Sequence, residues 1–203
     1  MPTPPPESDS VSFIQEQRRR QLVEATIAVI ADGGVGRATF VAIAQRAGVS
    51  RGVINYHFTD RAALLDAVVV HVYELGRQVV GPRVAAADSA AAELSAMITG
   101  SIDFYRAYPQ EMSALSSIFS SGEPALTRDV RGEHRSEVDE VSAIFRRGQR
   151  TGEFRPFDVA VLTVALRATL DAAVWQIAGG TDPALLSTEI DNLFTAATRS
   201  ESP

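Results

Sequence analysis

Apolar residues recur every three or four positions along most of the chain, and no segment alternates strictly. That period belongs to amphipathic helices rather than half-buried strands. Leu22, Val23, Thr26, Ile27 and Ile30 form the first stripe and predict a helix from about Val11 to Ala31, ended by Asp32-Gly33-Gly34. After a short interruption, two brief helices follow around Gly48. Asp60 can cap a longer one, through Leu64, Leu65, Val68, Val69, Val72 and Leu75, which fades near Gly81-Pro82. Further helices are predicted over about 87–107, through Met112, Leu115, Ile118 and Phe119, and from Pro124 along Leu126, Val130, His134, Val138, Val141 and Phe145. Gly148 to Pro156 is expected to be a loop. The nearly apolar stretch 157–178 closes at Gly179-Gly180, and Asp182-Pro183 caps a last helix to about residue 199. The fold class is all-α, with no internal repeat.

The pair around Gly48 carries the chemistry. Ile43, Ala44, Ala47 and Val49 let two helices cross steeply, and Gly48 can take the positive φ that ends a helix. Ser50 is placed to cap the second helix. Ile54 and Phe58, four apart, supply its buried face, leaving Arg51, Gly52, Asn55 and Tyr56 on other faces. A helix-turn-helix that reads DNA has this layout, with its second helix in the major groove.

Thr39, Ile43-Ala44, Ala47-Gly48-Val49-Ser50, Gly52, Ile54, Tyr56-His57-Phe58, Arg61 and Leu64-Leu65 together resemble the DNA-binding head of the tetracycline-repressor (TetR) family of bacterial regulators. Two positions depart from its pattern: Asn55 stands where many members carry tyrosine, and Arg61 replaces the usual lysine. The resemblance implies an N-terminal three-helix helix-turn-helix head over 11–62 and a C-terminal helical body for ligand binding and dimerisation over 63–199, with residues 1–10 as a disordered tail. It implies DNA contact by Thr39, Ser50, Arg51, Gly52, Asn55, Tyr56, His57 and Arg61. Thr39 and Arg61, at helix N-termini, are expected at phosphates, and Arg51 and Asn55 at bases. The segment Gly148 to Arg155 with Asp158 resembles the region before the last two helices of many such regulators.

Charge changes the picture once it is divided. The net charge is −6, yet residues 11–62 carry +3 and residues 63–203 carry −7. A basic head on an acidic body focuses attraction for phosphate where the motif lies. Arg18-Arg19-Arg20 fits phosphate contact, or equally a solvated helix face. All 19 basic residues are arginine, and cysteine is absent, which excludes disulfide and thiolate chemistry and suits the cytoplasm. No apolar run reaching a membrane span is expected, and the N-terminus has neither part of a signal peptide.

Val159, Val161, Leu162, Val164, Leu166, Leu170, Val174, Trp175 and Ile177 make helix 157–178 apolar on most sides, more than one packed face requires. Pairing of the last two helices with their symmetry mates follows, and a homodimer demands a palindromic operator on double-stranded DNA. Phe104, Tyr105, Tyr108, Met112, Leu115, Phe119, Phe145 and Trp175, with His134, form the candidate pocket for a small-molecule effector. Each alone is ordinary core, and the group gains its meaning from the resemblance. Arg106, Arg167 and Asp171 are candidates for ligand polarity. Histidines 57, 71 and 134 are scattered, and no nucleophile elbow or phosphate loop occurs. Glu133, Glu137 and Glu140 near His134 read as a charged helix face rather than a metal site. The expectation is therefore a repressor released by a ligand, with no enzyme activity, cofactor or membrane partner. The competing class is a helical interaction module governed by a protein partner.

Overall fold

The computed structural model describes residues 7–122 and 128–200, with side chains over 13–122 and 135–200. Leu126 and His134 of the expected stripe and pocket, Glu133 and Pro124 lie outside the residues or side chains so described. The described residues form α1 (Glu7–Gly33), a 3-10 turn (Val35–Arg37), α2 (Phe40–Ala47), α3 (Arg51–His57), α4 (Arg61–Ala85), α5 (Ala90–Ala107), α6 (Pro109–Ser120), α7 (Arg128–Thr151), α8 (Val159–Ala178) and α9 (Pro183–Thr198). The fold is all-α, and the one β-bridge among them joins Phe154 to Arg199.

Two compact units emerge. One holds the described residues up to His71 together with 113–122, so it reaches beyond the head expected at 11–62. Its core is the α1 stripe Leu22, Val23, Ile27 and Ile30 against Ile43, Ile54, Phe58, Leu64 and Val68, all buried. The other unit holds 72–112 and the described residues from Arg128 onward. Here Leu94, Ile98 and Ile102 of α5 and Leu186, Ile190 and Phe194 of α9 are buried stripes of period four, and these two helices pack together.

Several boundaries differ from expectation for local reasons. Helix α1 continues through Gly33, and Gly34, at φ 78°, reverses the chain. Helix α4 does not fade at Gly81-Pro82 but runs on to Ala85. Only its last turn follows Pro82, whose missing N–H removes a single helical bond. The expected loop at 148–156 starts later, because α7 extends to Thr151 and Gly152, at φ 80°, ends it. Gly148 is therefore a glycine inside a helix. A β-carbon there would collide with the Phe154 ring, so its role is close approach rather than a turn.

Helix α8 also corrects the expectation about apolar runs. By length and composition it could cross a membrane, with a mean hydropathy of 1.3 over its most apolar window. The cause is that its outward face is apolar as well as its inward one. Thr163, Leu166, Leu170 and Ala173 are buried, while Val161 and Val164 are each 67% exposed and Trp175 is 59% exposed.

Candidate functional site

The reading surface is built from local geometry. Thr39 caps α2 at φ −90°, ψ 151°, its Oγ1 accepting from the Ala42 N–H at 3.2 Å. Its hydroxyl proton stays available for an anion at that helix start. Gly48, at φ 67° and ψ 32°, ends α2 in the left-handed conformation. Its N–H and that of Val49 satisfy carbonyls of the last turn. Ser50 has the backbone of an N-cap, but its hydroxyl accepts no cap hydrogen bond. That leaves Ser50 an exposed hydroxyl at the start of α3 rather than the cap the sequence suggested. Ile54 and Phe58 are buried, so the remaining faces of α3 turn outward: Arg51, Gly52 and Asn55 are exposed, and Tyr56 is 71% exposed.

Contacts from outside the motif fix this helix. Arg19 of α1 donates from Nη1 to the His57 carbonyl at 3.0 Å, and its guanidinium lies 4.3 Å from the centre of the Phe58 ring. Gln21 donates to the Ala47 carbonyl at 3.0 Å, tying α1 to the end of α2. Gln15 donates from Nε2 to the Tyr56 hydroxyl at 3.0 Å. His57 packs edge-on to Tyr56 with 5.1 Å between ring centres. Burial, then Arg19 and Arg18, hold its imidazole below the usual value, favouring the neutral ring.

Arg61, expected at a phosphate, holds backbone carbonyls in the structure. Its Nε donates to the Ala38 carbonyl at 3.0 Å and its Nη2 to the Val35 carbonyl at 2.7 Å. The planar fork of a guanidinium suits two neighbouring carbonyls, so the charge is turned inward onto the 3-10 turn. Asp60 does cap α4, accepting from the Ala63 N–H at 2.8 Å. Arg19 likewise works as scaffold.

The candidate pocket residues are divided between the two units, Leu115 and Phe119 in the first and Phe104, Tyr105, Tyr108, Met112, Phe145 and Trp175 in the second. Phe104 packs against Tyr108 at 4.9 Å and Tyr105 at 6.2 Å between ring centres. Met112 is buried, and Leu115 is half-buried in the head's unit with the exposed Phe119. Phe145 packs on Phe154 and Phe157, locking the segment after α7. Trp175 faces outward.

A polar cluster in the second unit joins Arg167 and Asp171, candidates for ligand polarity, and the candidate pocket residue Tyr105 to Tyr73 and Glu137, which the sequence did not mark for that role. Arg167 of α8 meets Glu137 of α7 at 2.7 Å and Asp171 at 3.6 Å. Tyr73 of α4 and Tyr105 of α5 interact electrostatically with the same groups. Burial pushes the Glu137 carboxyl up to about 7; Arg167 opposes the shift, and Glu140 and Asp171 add to it. Burial raises both phenols too, so they remain neutral donors. Arg167 Nε is buried without a hydrogen-bond acceptor. Arg106, by contrast, is exposed and pairs with Asp103 at 3.6 Å.

Residues 22–68, the span that holds the two crossing helices, match the family model described as bacterial regulatory proteins, tetR family. Over 138 residues the chain is 36% identical to the HTH-type transcriptional regulator BetI of Cronobacter sakazakii, covering 66% of this chain and 68% of that protein. The chain belongs to the TetR family. It is a DNA-binding transcriptional regulator rather than an enzyme. Its fold is shared by a TetR-family regulator from Rhodococcus sp., with a TM-score of 0.77 at 22% identity over 90% of this chain and 99% of that one. The structure of AibR in complex with isovaleryl coenzyme A and operator DNA is also similar, with a TM-score of 0.71 at 17% identity over 91% of this chain and all of that one.

Proposed function

We propose that this regulator is a cytoplasmic homodimeric repressor that binds a palindromic operator through α3 and leaves it when a small molecule binds the second unit. The observation that carries the DNA-reading assignment is the outward face of α3. Arg51, Asn55 and Tyr56 project from a helix held by the buried Ile54 and Phe58 and by Arg19. Arg51 and Asn55 read base edges, while Thr39, Tyr56 and the exposed hydroxyl of Ser50 meet phosphates. Gly52 leaves room for the backbone to approach the groove. Arg61 and His57 serve the same surface from behind.

The effector binds beside Tyr73, Tyr105, Glu137 and Arg167. Placing a carboxylate and a guanidinium among buried phenols costs stability against an apolar core of the same volume, and that cost suits a site with polar recognition to do. AibR carries isovaleryl coenzyme A together with operator DNA, so effector binding in this fold has a precedent. The apolar outward face of α8 and α9, with Val161, Val164, Trp175, Leu185 and Leu193 exposed on the single chain, supports self-association.

The test is a gel shift with the promoter upstream of the protein's own gene, run with competitor DNA and then against a metabolite library. Specific retardation reversed by a small molecule is the expected result. Retardation that no small molecule reverses, but a cell protein does, would favour the interaction-module reading.

A further inference from the structure

Gln15 and Arg19 lie one helical turn apart on α1 and hold consecutive residues at the end of α3. The Arg19 contact is explained by packing, because it satisfies a carbonyl of the last turn and covers the Phe58 ring. The Gln15 contact is different. It joins two exposed side chains 41 residues apart, and such a bond adds little to folding.

Its consequence is directional. A phenol has one O–H donor and acceptor lone pairs, whereas an amide N–H only donates. With Gln15 Nε2 on one side of the Tyr56 oxygen, the phenolic proton is driven to the other side of the ring plane's C–O axis. Accepting a hydrogen bond also polarises the phenol and makes it a better donor. We propose that Gln15 is a positioning residue for DNA binding, whose amide orients the Tyr56 hydroxyl as a donor to a DNA phosphate. This rests on the assignment of α3 as the DNA-reading helix.

The experiment is fluorescence anisotropy of the full-length protein with a labelled random-sequence duplex at low salt, since a phosphate contact needs no operator. Tyr56→Phe is expected to weaken binding roughly tenfold, and Gln15→Ala about threefold or more with an unchanged salt slope. Gln15→Glu should lose more, because a carboxylate accepts the phenolic proton for itself. In the Tyr56→Phe background, Gln15→Ala should cost nothing further, and Gln15→Glu only the effect of its added charge. Wild-type affinity in Gln15→Ala would overturn the proposal. So would a loss that persists undiminished in the Tyr56→Phe background, or one that tracks a lowered melting temperature. If the wild-type protein bound no duplex at all, the assignment of α3 itself would fall instead.

Discussion

Arg61 Nη2 donates to the Val35 carbonyl at 2.7 Å while its Nε donates to the Ala38 carbonyl at 3.0 Å. One side chain at the start of α4 thus fastens the 3-10 turn that leads into α2. Removing it strands the Ala38 carbonyl, whereas the Val35 carbonyl keeps its bond from the Ala38 N–H at 3.0 Å. Arg61→Ala should therefore cost about 1–3 kcal/mol in urea unfolding. Arg61→Lys should recover only part of that, since an ammonium lacks the fork. DNA affinity will fall with stability, but the salt slope should stay near the wild-type value. A slope lowered by about one unit would return Arg61 to the phosphates.

Asn55 stands exposed on α3. An amide can bond adenine N6 and N7 together, discriminating by ~1–3 kcal/mol at each half-site. Binding-site selection with Asn55→Ala should relax one symmetric pair of operator positions. An unchanged selected motif would make Asn55 plain helix surface.

Glu137 supplies a pH dependence. Its carboxyl sits at about 7 in the folded protein, raised from an ordinary value of 4.5 mainly by burial. The folded state therefore holds this proton more tightly than the unfolded chain. The stability it contributes is complete below pH 4.5 and is lost as pH rises through about 7. Arg167, Asp171, Glu140, Arg77, Tyr73 and Tyr105 surround it, from α4, α5, α7 and α8. Melting temperature should fall between pH 5.5 and 8, and Glu137→Gln should make that fall shallower. Equal slopes in the two proteins would show that Glu137 does not titrate in this range.

The sequence revealed the head because its signals are local. Gly48 needs a left-handed backbone, Thr39 and Asp60 cap the residues just after them, and Ile54 and Phe58 sit on one face by spacing alone. The inward contacts of Arg61 are not legible in the sequence, for the opposite reason. Its acceptors lie 23 and 26 residues away, and nothing in the motif distinguishes an arginine turned inward from one turned to phosphate. The body cluster shares that obscurity, since Tyr73, Tyr105, Glu137 and Arg167 come from four helices and only Arg167 and Asp171 have a telling spacing. Gly148 looked like a loop glycine because a close approach and a turn call for the same residue.

The inside of that approach gives a direct test. Gly148 carries no side chain where the Phe154 ring rests on α7, and Phe154 N–H donates to the Gly148 carbonyl at 3.0 Å. Gly148→Ala should displace Phe154 from Phe145 and Phe157, destabilising by about 1–3 kcal/mol despite alanine's better helix propensity. A stabilised variant in urea unfolding would show that the ring can move aside freely.

The outward faces of α8 and α9 decide whether the protein can read a palindrome. Val161, Val164 and Trp175 on α8 and Leu185 and Leu193 on α9 are each more than half exposed on the single chain, an amount of large apolar surface that a monomer rarely leaves to water. A charge on this face would have to be desolvated in a self-association interface but stays solvated in a monomer. Val164→Arg should therefore convert the dimer to a monomer in light scattering, with little change in circular dichroism, because Val164 lies outside the unit's own core. Two heads held on one operator bind with the product of their discrimination, so the monomer should lose far more affinity for a selected palindrome than for a single half-site. A Val164→Arg protein that stayed dimeric and kept its palindrome affinity would move the interface away from α8 and leave that apolar face to some other partner.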